Sequence, residues 1–296
     1  MAKRICIVKV SDGLGNQLFQ YALAKRLNEQ GFKVIIDISW YENIEYRFTT
    51  RKFQLDSFNS SIEIANQRQC SQIKSPKFIV FFNSFFWKIQ SLVPYFRKRH
   101  VKEQFSGYDS NIFKIPNKAY LEGFWQSPKY FQNIRNILLK EITLKSESID
   151  IKSYKSEIQL QRTSIAVHIR RGDYTLPNSV HRLLDGTYYS NAIKRMIEIL
   201  GDNIHFYFFS DEHEFIIQQD YYLVVPYKRV VKTTSAEEDL MLIKTCKHQI
   251  ISNSTFSWWG AWLNENPNKV VISPTRWFNE EKNENPDLIP DEWIKI

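Results

Sequence analysis

The chain has 296 residues, enough for one large domain or two ordinary ones, and its 43% hydrophobic and 24% charged content excludes a disordered protein. The net charge of +8 favours anionic partners, which are nucleotides, anionic lipid or nucleic acid, and no block of basic residues is long enough to suggest a nucleic-acid arm. Three cysteines, Cys6, Cys70 and Cys246, are an odd number and no pair has metal-ligand spacing; Cys6, in an apolar strand pattern, and Cys246, in a helical one, read as small buried hydrophobes in a reducing compartment.

The opening MAKRICIVKV has no signal-peptide core, because Lys9 and Asp12 interrupt the apolar run, and the expected location is the cytoplasm. Ile5–Val10 reads as a first strand, Ser11–Gly15 as a turn, and Asn16–Gln30 as a helix with an apolar stripe at Leu18, Phe19, Ala22, Leu23 and Leu27. Phe32–Ile38 is a second strand, so the chain starts with a β-turn-α-β unit of a parallel sheet. Residues 39–140 are less regular and read mostly as helices and loops. Within them, Phe78–Phe96 is strongly aromatic and runs into Arg97, Lys98, Arg99 and His100. Asn83, Ser84, Lys88 and Gln90 make it too polar for a membrane span. It reads either as a buried core helix ended by Pro94 or as a peripheral contact with an anionic membrane. Leu144–Thr163 is polar and weakly patterned, and the domain boundary is placed there, giving domains 1–150 and 151–296.

The second half repeats the rhythm. In Ser164–Arg170, Ile165, Val167 and Ile169 alternate with Ala166, His168 and Arg170, a strand pattern that Gly172 breaks. Tyr188–Leu200 reads as a helix, Ile204–Phe209 as a buried strand, and Ala236–Cys246 as a helix opened by a Ser235-to-Glu238 capping box. Gln249–Ser252 is a strand, Phe256–Leu263 a helix, and Val270–Ser273 a last strand. Two α/β domains with parallel sheets facing a cleft are the simplest architecture for this alternation.

Three strand ends in this half carry chemistry. Arg170 and Arg171 follow a strand, where open α/β sheets bind ligands, and guanidinium grips phosphate with two parallel hydrogen bonds. The alternative is a surface ion-pair role. Ser252–Gly260, SNSTFSWWG, leaves a strand and opens a helix; Ser254 and Thr255 can cap it, leaving N–H groups for a ligand oxygen, or serve as an ordinary cap. Asp211 and Glu212 end another strand, where a carboxylate can accept from the donors of guanine or cap a helix. Glu238 and Asp239 stand in a first helical turn that favours acids in any case. Cation, helix terminus and carboxylate on consecutive strands suit a nucleotide pocket. In the first half, Asp12-Gly-Leu-Gly-Asn-Gln17 joins a strand to a helix and lets backbone N–H groups approach an anion, or is simply a tight turn. It is neither a Walker loop nor a dinucleotide fingerprint, since Leu18 replaces the third glycine.

These residues taken together resemble the bacterial α-1,2-fucosyltransferases of glycosyltransferase family eleven. The resemblance rests on GLGNQLFQYALAKRL (13–27), HIRRGDY (168–174), HRLLDGTYYSNAI (181–193), FSDE (209–212) and DLMLIKTCKHQIISNSTFSWWGAWL (239–263), in order and over nearly the whole chain. One departure is Asp12, where the family usually has a further glycine. The resemblance implies a GT-B-like fold of two Rossmann-type domains, an acceptor-side first domain and a donor-binding second one. It implies transfer of L-fucose from GDP-β-L-fucose, with inversion, to the 2-hydroxyl of a terminal galactoside in a surface glycan such as lipopolysaccharide O-antigen. It implies no cofactor and no metal, in keeping with the lack of an Asp-x-Asp motif or a His/Cys cluster. Arg170 would neutralise the departing diphosphate, helped by N–H groups around Asn253, Ser254 and Thr255; His168 would touch the nucleotide, Asp211 would read guanine, and Asp239 would join the pocket. Gly13, Gly15, Asn16 and Gln17 would reach the donor from the first domain, and Arg171 and Asp173 would form a supporting ion pair. Asp173 and Asp12 are the candidates for the base. The rival readings are another sugar-nucleotide donor on the same fold and a non-catalytic nucleotide- or glycan-binding protein. Enzyme action at the inner face of the membrane, with no nucleic-acid partner, completes the expectation.

Overall fold

A computed structural model describes residues 4–42, 51–73, 94–104 and 106–296. The chain divides into two compact units. The first holds Met1–Asp56, Ser60–Ile142 and Asn285–Leu288; the second holds Ser57–Asn59, Thr143–Glu284 and Ile289–Ile296. The division falls ahead of residue 150, because the stretch that looked patternless contains a helix of the second unit, Ile149–Leu160 (α4). Ser148 caps it by accepting from the Ile151 N–H at 3.2 Å. Its buried side chains are Ile151 and Ile158 alone, while Ile149 and Leu160 face solvent, which is why no apolar stripe was legible.

The first unit is built on a parallel sheet in the order β3-β2-β1-β5-β4. Its strands are β1 (Ile5–Lys9), β2 (Lys33–Asp37), β3 (Glu63–Ile64), β4 (His100–Lys102) and β5 (Lys118–Glu122). Helices α1 (Leu14–Glu29), α2 (Gln67–Ile73) and α3 (Arg135–Glu141) accompany it. The expectation of helices and loops for 39–140 is corrected by β3, β4 and β5. These strands carry no long apolar run of their own and exist because a neighbour offers an edge: β2 to β3, β1 to β5, and β5 in turn to β4. The helix expected at Phe78–Phe96 lies outside the described residues except at its end, where Pro94 precedes a 3-10 turn, Tyr95–Arg97.

The second unit carries a parallel sheet in the order β11-β10-β9-β6-β7-β8. Its strands are β6 (Ser164–Ile169), β7 (His205–Ser210), β8 (Lys228–Val230), β9 (His248–Ile250), β10 (Val271–Ser273) and β11 (Ile294–Lys295). Counted from β6 this is 3-2-1-4-5-6, the doubly wound order of nucleotide-binding folds. Val270–Ser273 is therefore not the last strand: β11 adds to β10 from the far end of the chain. All six residues of β6 are buried, on both faces. The alternation in its sequence is the mark of a half-buried strand, yet Ser164, Ala166 and His168 are covered as well, as a central parallel strand requires. One face packs Ile165, Val167 and Ile169 with Tyr189, Ala192 and Met196 of α5 (Gly186–Leu200). Two short helices, α6 (His213–Ile216) and α7 (Asp220–Leu223), follow β7, and then come α8 (Ala236–Thr245) and α9 (Thr255–Leu263). Tryptophans 258, 259 and 262 of α9 cluster with Trp293. The capping box at Ser235 is half made. Its hydroxyl accepts from the Glu238 N–H, but the Glu238 carboxylate accepts from the Ser148 N–H and the Thr234 hydroxyl.

Candidate active site

In the second unit the winding reverses between β6 and β9, so their carboxyl ends form the crevice where such sheets bind ligands. His168 is the last but one residue of β6, and Ser252 follows β9. The imidazole Nδ1 and the Ser252 hydroxyl lie 2.9 Å apart and tie the two strand ends together. The His168 ring is almost fully buried; burial first, and then the Arg170 charge, push its pKa down to about 3. It is a neutral imidazole at physiological pH.

Arg170 leaves β6 and lies between two carboxylates. One of its amino groups pairs with Asp173, and the other meets Asp211 Oδ2 at 2.7 Å. Burial works against the charge, and Asp211 and Asp173 outweigh it, so the pKa stands above arginine's ordinary value. Arg171 turns the other way. Its Nε donates to Glu212 at 2.8 Å, its guanidinium lies 3.6 Å over the Phe215 ring, and its backbone N–H donates to Asp211 Oδ1 at 3.0 Å. The expected Arg171–Asp173 pair is thus corrected: Asp173 belongs to Arg170, and Arg171 belongs to Glu212. The cause is Gly172, whose φ of +28° starts a 3-10 turn that brings Asp173 back beneath Arg170. A Cβ at Gly172 would come within 2.5 Å of Asp211 Oδ2. Two guanidiniums therefore face three carboxylates, and a diphosphate that engages Arg170 must take over from a carboxylate already in place.

The loop after β9 is braced from beneath. Tyr174 donates its hydroxyl to the Asn253 carbonyl at 3.0 Å, and its ring stacks on His181, which stacks in turn on Phe278. The Asn253 amide donates to the carbonyls of Arg182 and Trp277, both at 2.7 Å. Its buried Oδ1 has no partner among the described residues. Asn253 holds the loop's shape, then, with one acceptor spare. Ser254 caps α9 by accepting from the Phe256 N–H at 3.3 Å, and Thr255 is the first helical residue. Both oxygens of Asp211 are engaged, with Arg170 and with the Arg171 N–H. Asp239 sits in the first turn of α8 and accepts from the Thr233 hydroxyl at 2.9 Å. Burial, opposed by that hydrogen bond and reinforced by Glu238, raises its pKa to about 7. Phe215 was not anticipated, since a single aromatic four residues past Asp211 gives no sign that it will lie beneath an arginine. Among the described residues no group of three or more His, Cys, Asp or Glu is arranged to hold a metal ion.

In the first unit, Asp12 has φ +69°, a left-handed conformation that glycine adopts freely and aspartate tolerates. The departure from the resembling family's pattern thus falls where the backbone most wants a glycine. The Asp12 carboxylate recovers part of the cost by accepting from the Gly13 N–H at 2.8 Å and from the Asn16 amide at 3.1 Å. The Gly13 N–H is thereby used inside the loop. Gln17 is fully buried; its amide donates to the carbonyls of Asp12 and Lys52, and its Oε1 accepts from Gln54 N–H. The expectation that Gln17 reaches a donor is corrected, because its amide and its oxygen tie the Asp12 loop to the Lys52–Gln54 segment. Asn16 is partly exposed and accepts from the Gln126 amide at 2.8 Å, and Gly15 is buried in the first turn of α1.

A profile described as Glycosyl transferase family 11 matches residues 5–296. Two Escherichia coli proteins are each 30% identical to the chain. One is the O-antigen biosynthesis glycosyltransferase WbnK, matched over 97% of this chain and 99% of its own length. The other is an alpha-1,2-colitosyltransferase, matched over 99% of both. Among solved structures, the fucosyltransferase NodZ from Bradyrhizobium superposes with a TM-score of 0.53 at 16% identity, covering 88% of this chain and 92% of that one. A mutant of Arabidopsis thaliana FUT1 in complex with GDP gives 0.52 at 10% identity, covering 97% and 75%. At those identities the likeness concerns the fold, which is the expected pair of Rossmann-type α/β units. With two parallel sheets, a partly buried arginine at the switch point of the second, and a match over almost every residue, the chain belongs to glycosyl transferase family 11.

Proposed function

We propose that the chain transfers L-fucose from GDP-β-L-fucose, with inversion, to the 2-hydroxyl of a terminal galactoside during surface-glycan synthesis, forming an α-1,2 linkage. The observation that carries the reading is Arg170, charged and held in place at the β6/β9 crossing by Asp173 and Asp211. As the bond between C1 and the β-phosphate oxygen breaks, positive charge spreads over the sugar ring and negative charge gathers on GDP. A guanidinium that the diphosphate takes over from one of those carboxylates would neutralise that oxygen and lower the barrier. First-turn N–H groups of α9, after Asn253, Ser254 and Thr255, would add donors to the diphosphate. His168, neutral and tied to Ser252, would offer a hydrogen bond to the nucleotide rather than a second charge. Asp239 would accept from guanine. Asp211, occupied by Arg170 and the Arg171 N–H, would read guanine only by releasing one of them. The acceptor hydroxyl's proton would pass to a carboxylate, Asp173 or Asp12. In this reading the reaction needs no cofactor or metal, GDP-fucose and a galactose-terminated glycan are the substrates, and the work is done at the cytoplasmic face of the membrane.

A second reading has a specific support: the colitosyltransferase is as similar to this chain as the O-antigen enzyme is. The donor sugar would then be colitose. The test is to incubate the purified chain with the GDP-activated forms of fucose, colitose and mannose and a panel of galactosides. GDP release is followed, and product linkage is read by NMR. An α-1,2-fucosyl galactoside is the expected product. Colitose transfer alone selects the second reading, and GDP affinity with no product from any donor overturns both.

A further inference from the structure

The first unit has its own crossing point. Its sheet winds from β1 through β2 to β3 on one side and carries β5 and β4 on the other, so the reversal lies between β1 and β5. Beyond the carboxyl ends of β4 and β5 is a pocket of about 240 Å³ lined by Glu103, Gln104, Ser106, Phe124, Gln126 and Asn285. That is smaller than the ~300–1,000 Å³ typical of drug-sized ligands and suits one small ring.

The backbone there is held in a costly shape. Trp125 has φ +57°, a left-handed conformation that is a true outlier for so bulky a residue. Its indole is buried, and the indole N–H has no acceptor among the described residues. Glu103 enforces the turn: one carboxylate oxygen accepts from Phe124 N–H at 2.6 Å and the other from Trp125 N–H at 3.1 Å. Gly123 admits this approach, because a Cβ there would stand 2.5 Å from Glu103 Cβ. A strained residue and an unsatisfied buried donor do nothing for stability, and such costs gather at functional sites. What the shape achieves is plain. It buries Trp125 and turns Phe124 outward, 40% exposed at the pocket's edge.

Apart from Glu103, the polar side chains around that ring are uncharged. Gln104 and Ser106 are exposed, and Gln126 is partly exposed and donates to Asn16 of the glycine loop at 2.8 Å. The Asn285 amide donates to the Gln126 carbonyl at 2.7 Å and fixes the strand end. Among the described residues no lysine or arginine lines the pocket, and Glu103 adds no positive charge. A pyranose has C–H groups on a face and hydroxyls at its rim. An exposed aromatic ring beside amides and a hydroxyl matches it, and a phosphate finds nothing there to neutralise it.

The geometry points to this pocket as the subsite that holds a neutral pyranose ring of the acceptor glycan, with Phe124 as its stacking platform and Gln104 and Gln126 as its hydroxyl partners. The assignment rests on the fucosyltransferase reading only in naming the sugar an acceptor. The test therefore measures sugar binding without donor. Saturation-transfer NMR is run on the full chain with methyl β-glycosides of galactose, glucose, N-acetylglucosamine and N-acetylgalactosamine. Phe124→Leu and Phe124→Trp are compared with the native chain, and thermal midpoints confirm that the variants fold. At least one glycoside should bind the native chain, weaken on the order of 3- to 10-fold with leucine, and be retained with tryptophan. GDP affinity should be unchanged in both variants. No binding by the native chain, or equal binding by Phe124→Leu, overturns the assignment. A failure of GDP binding with glycoside binding intact would count against the proposed function and leave the pocket standing.

Discussion

Replacing Asp239 by asparagine should stabilise the protein, and by an amount that depends on pH in one direction. Burial, partly offset by the Thr233 hydroxyl and reinforced by Glu238, moves this carboxyl from the ordinary 3.8 to about 7 in the folded chain. The native state therefore holds a proton that the unfolded state has released. Between those two values stability falls as pH rises, because the unfolded chain binds fewer protons. The gap spans about 3 pH units at about 1.4 kcal/mol each, so the full penalty above pH 7 is about 4 kcal/mol. Asparagine keeps an oxygen for Thr233 and carries no charge. Its advantage should be near zero at about pH 4, widen by up to ~1.4 kcal/mol per pH unit from there to about pH 7, and stay flat above. Urea unfolding of both chains at four pH values between 5 and 8 measures the gap. A constant difference, or an asparagine variant less stable at pH 8, would refute the account of a buried, proton-holding carboxyl.

Arg170→Lys keeps the charge but loses the fork that spans Asp173 and Asp211, and turnover with GDP-fucose should fall about 10²–10³-fold; unchanged turnover removes Arg170 from the diphosphate. His168 should remain neutral in the native chain down to about pH 5. Burial and Arg170 hold its pKa near 3, so stability present above the unfolded value of about 6.5 is lost as pH falls toward 3. An imidazole resonance titrating near 6.5 in the folded protein would contradict this. Gly172→Ala should cost about 1–3 kcal/mol in urea unfolding, since alanine is strained at φ +28° and its Cβ meets an Asp211 carboxylate already pinned by both arginines. A fully stable alanine variant would show that the Asp211 side chain moves aside freely.

The local patterns carried a good deal. Strands at Ile5–Lys9, Lys33–Asp37, Ser164–Ile169 and His205–Ser210, the long helix α1, and the caps at Ser235 and Ser254 all follow from residue spacing. Each is stabilised by groups close in sequence, or by an apolar run long enough to register. Arg170 at a strand end was equally legible, because the apolar alternation of β6 runs up to it and Gly172 breaks the pattern just beyond.

Tertiary structure decided what depends on partners distant in the chain. The short strands β3, β4, β5 and β11 exist only because a neighbour offers an edge. Which arginine takes which carboxylate was settled by β7 lying beside β6, so that Glu212, 41 residues away, captures Arg171. Gln17 looked like a ligand contact and proved a brace, because its partners Lys52 and Gln54 come from a later loop. Asn285 joins the first unit from near the end of the chain, which no local pattern could announce. A sequence determines the preferences of each segment through short-range sterics, spacing and burial, whereas the pairing of charges and amides is fixed only when folding brings their strand ends together.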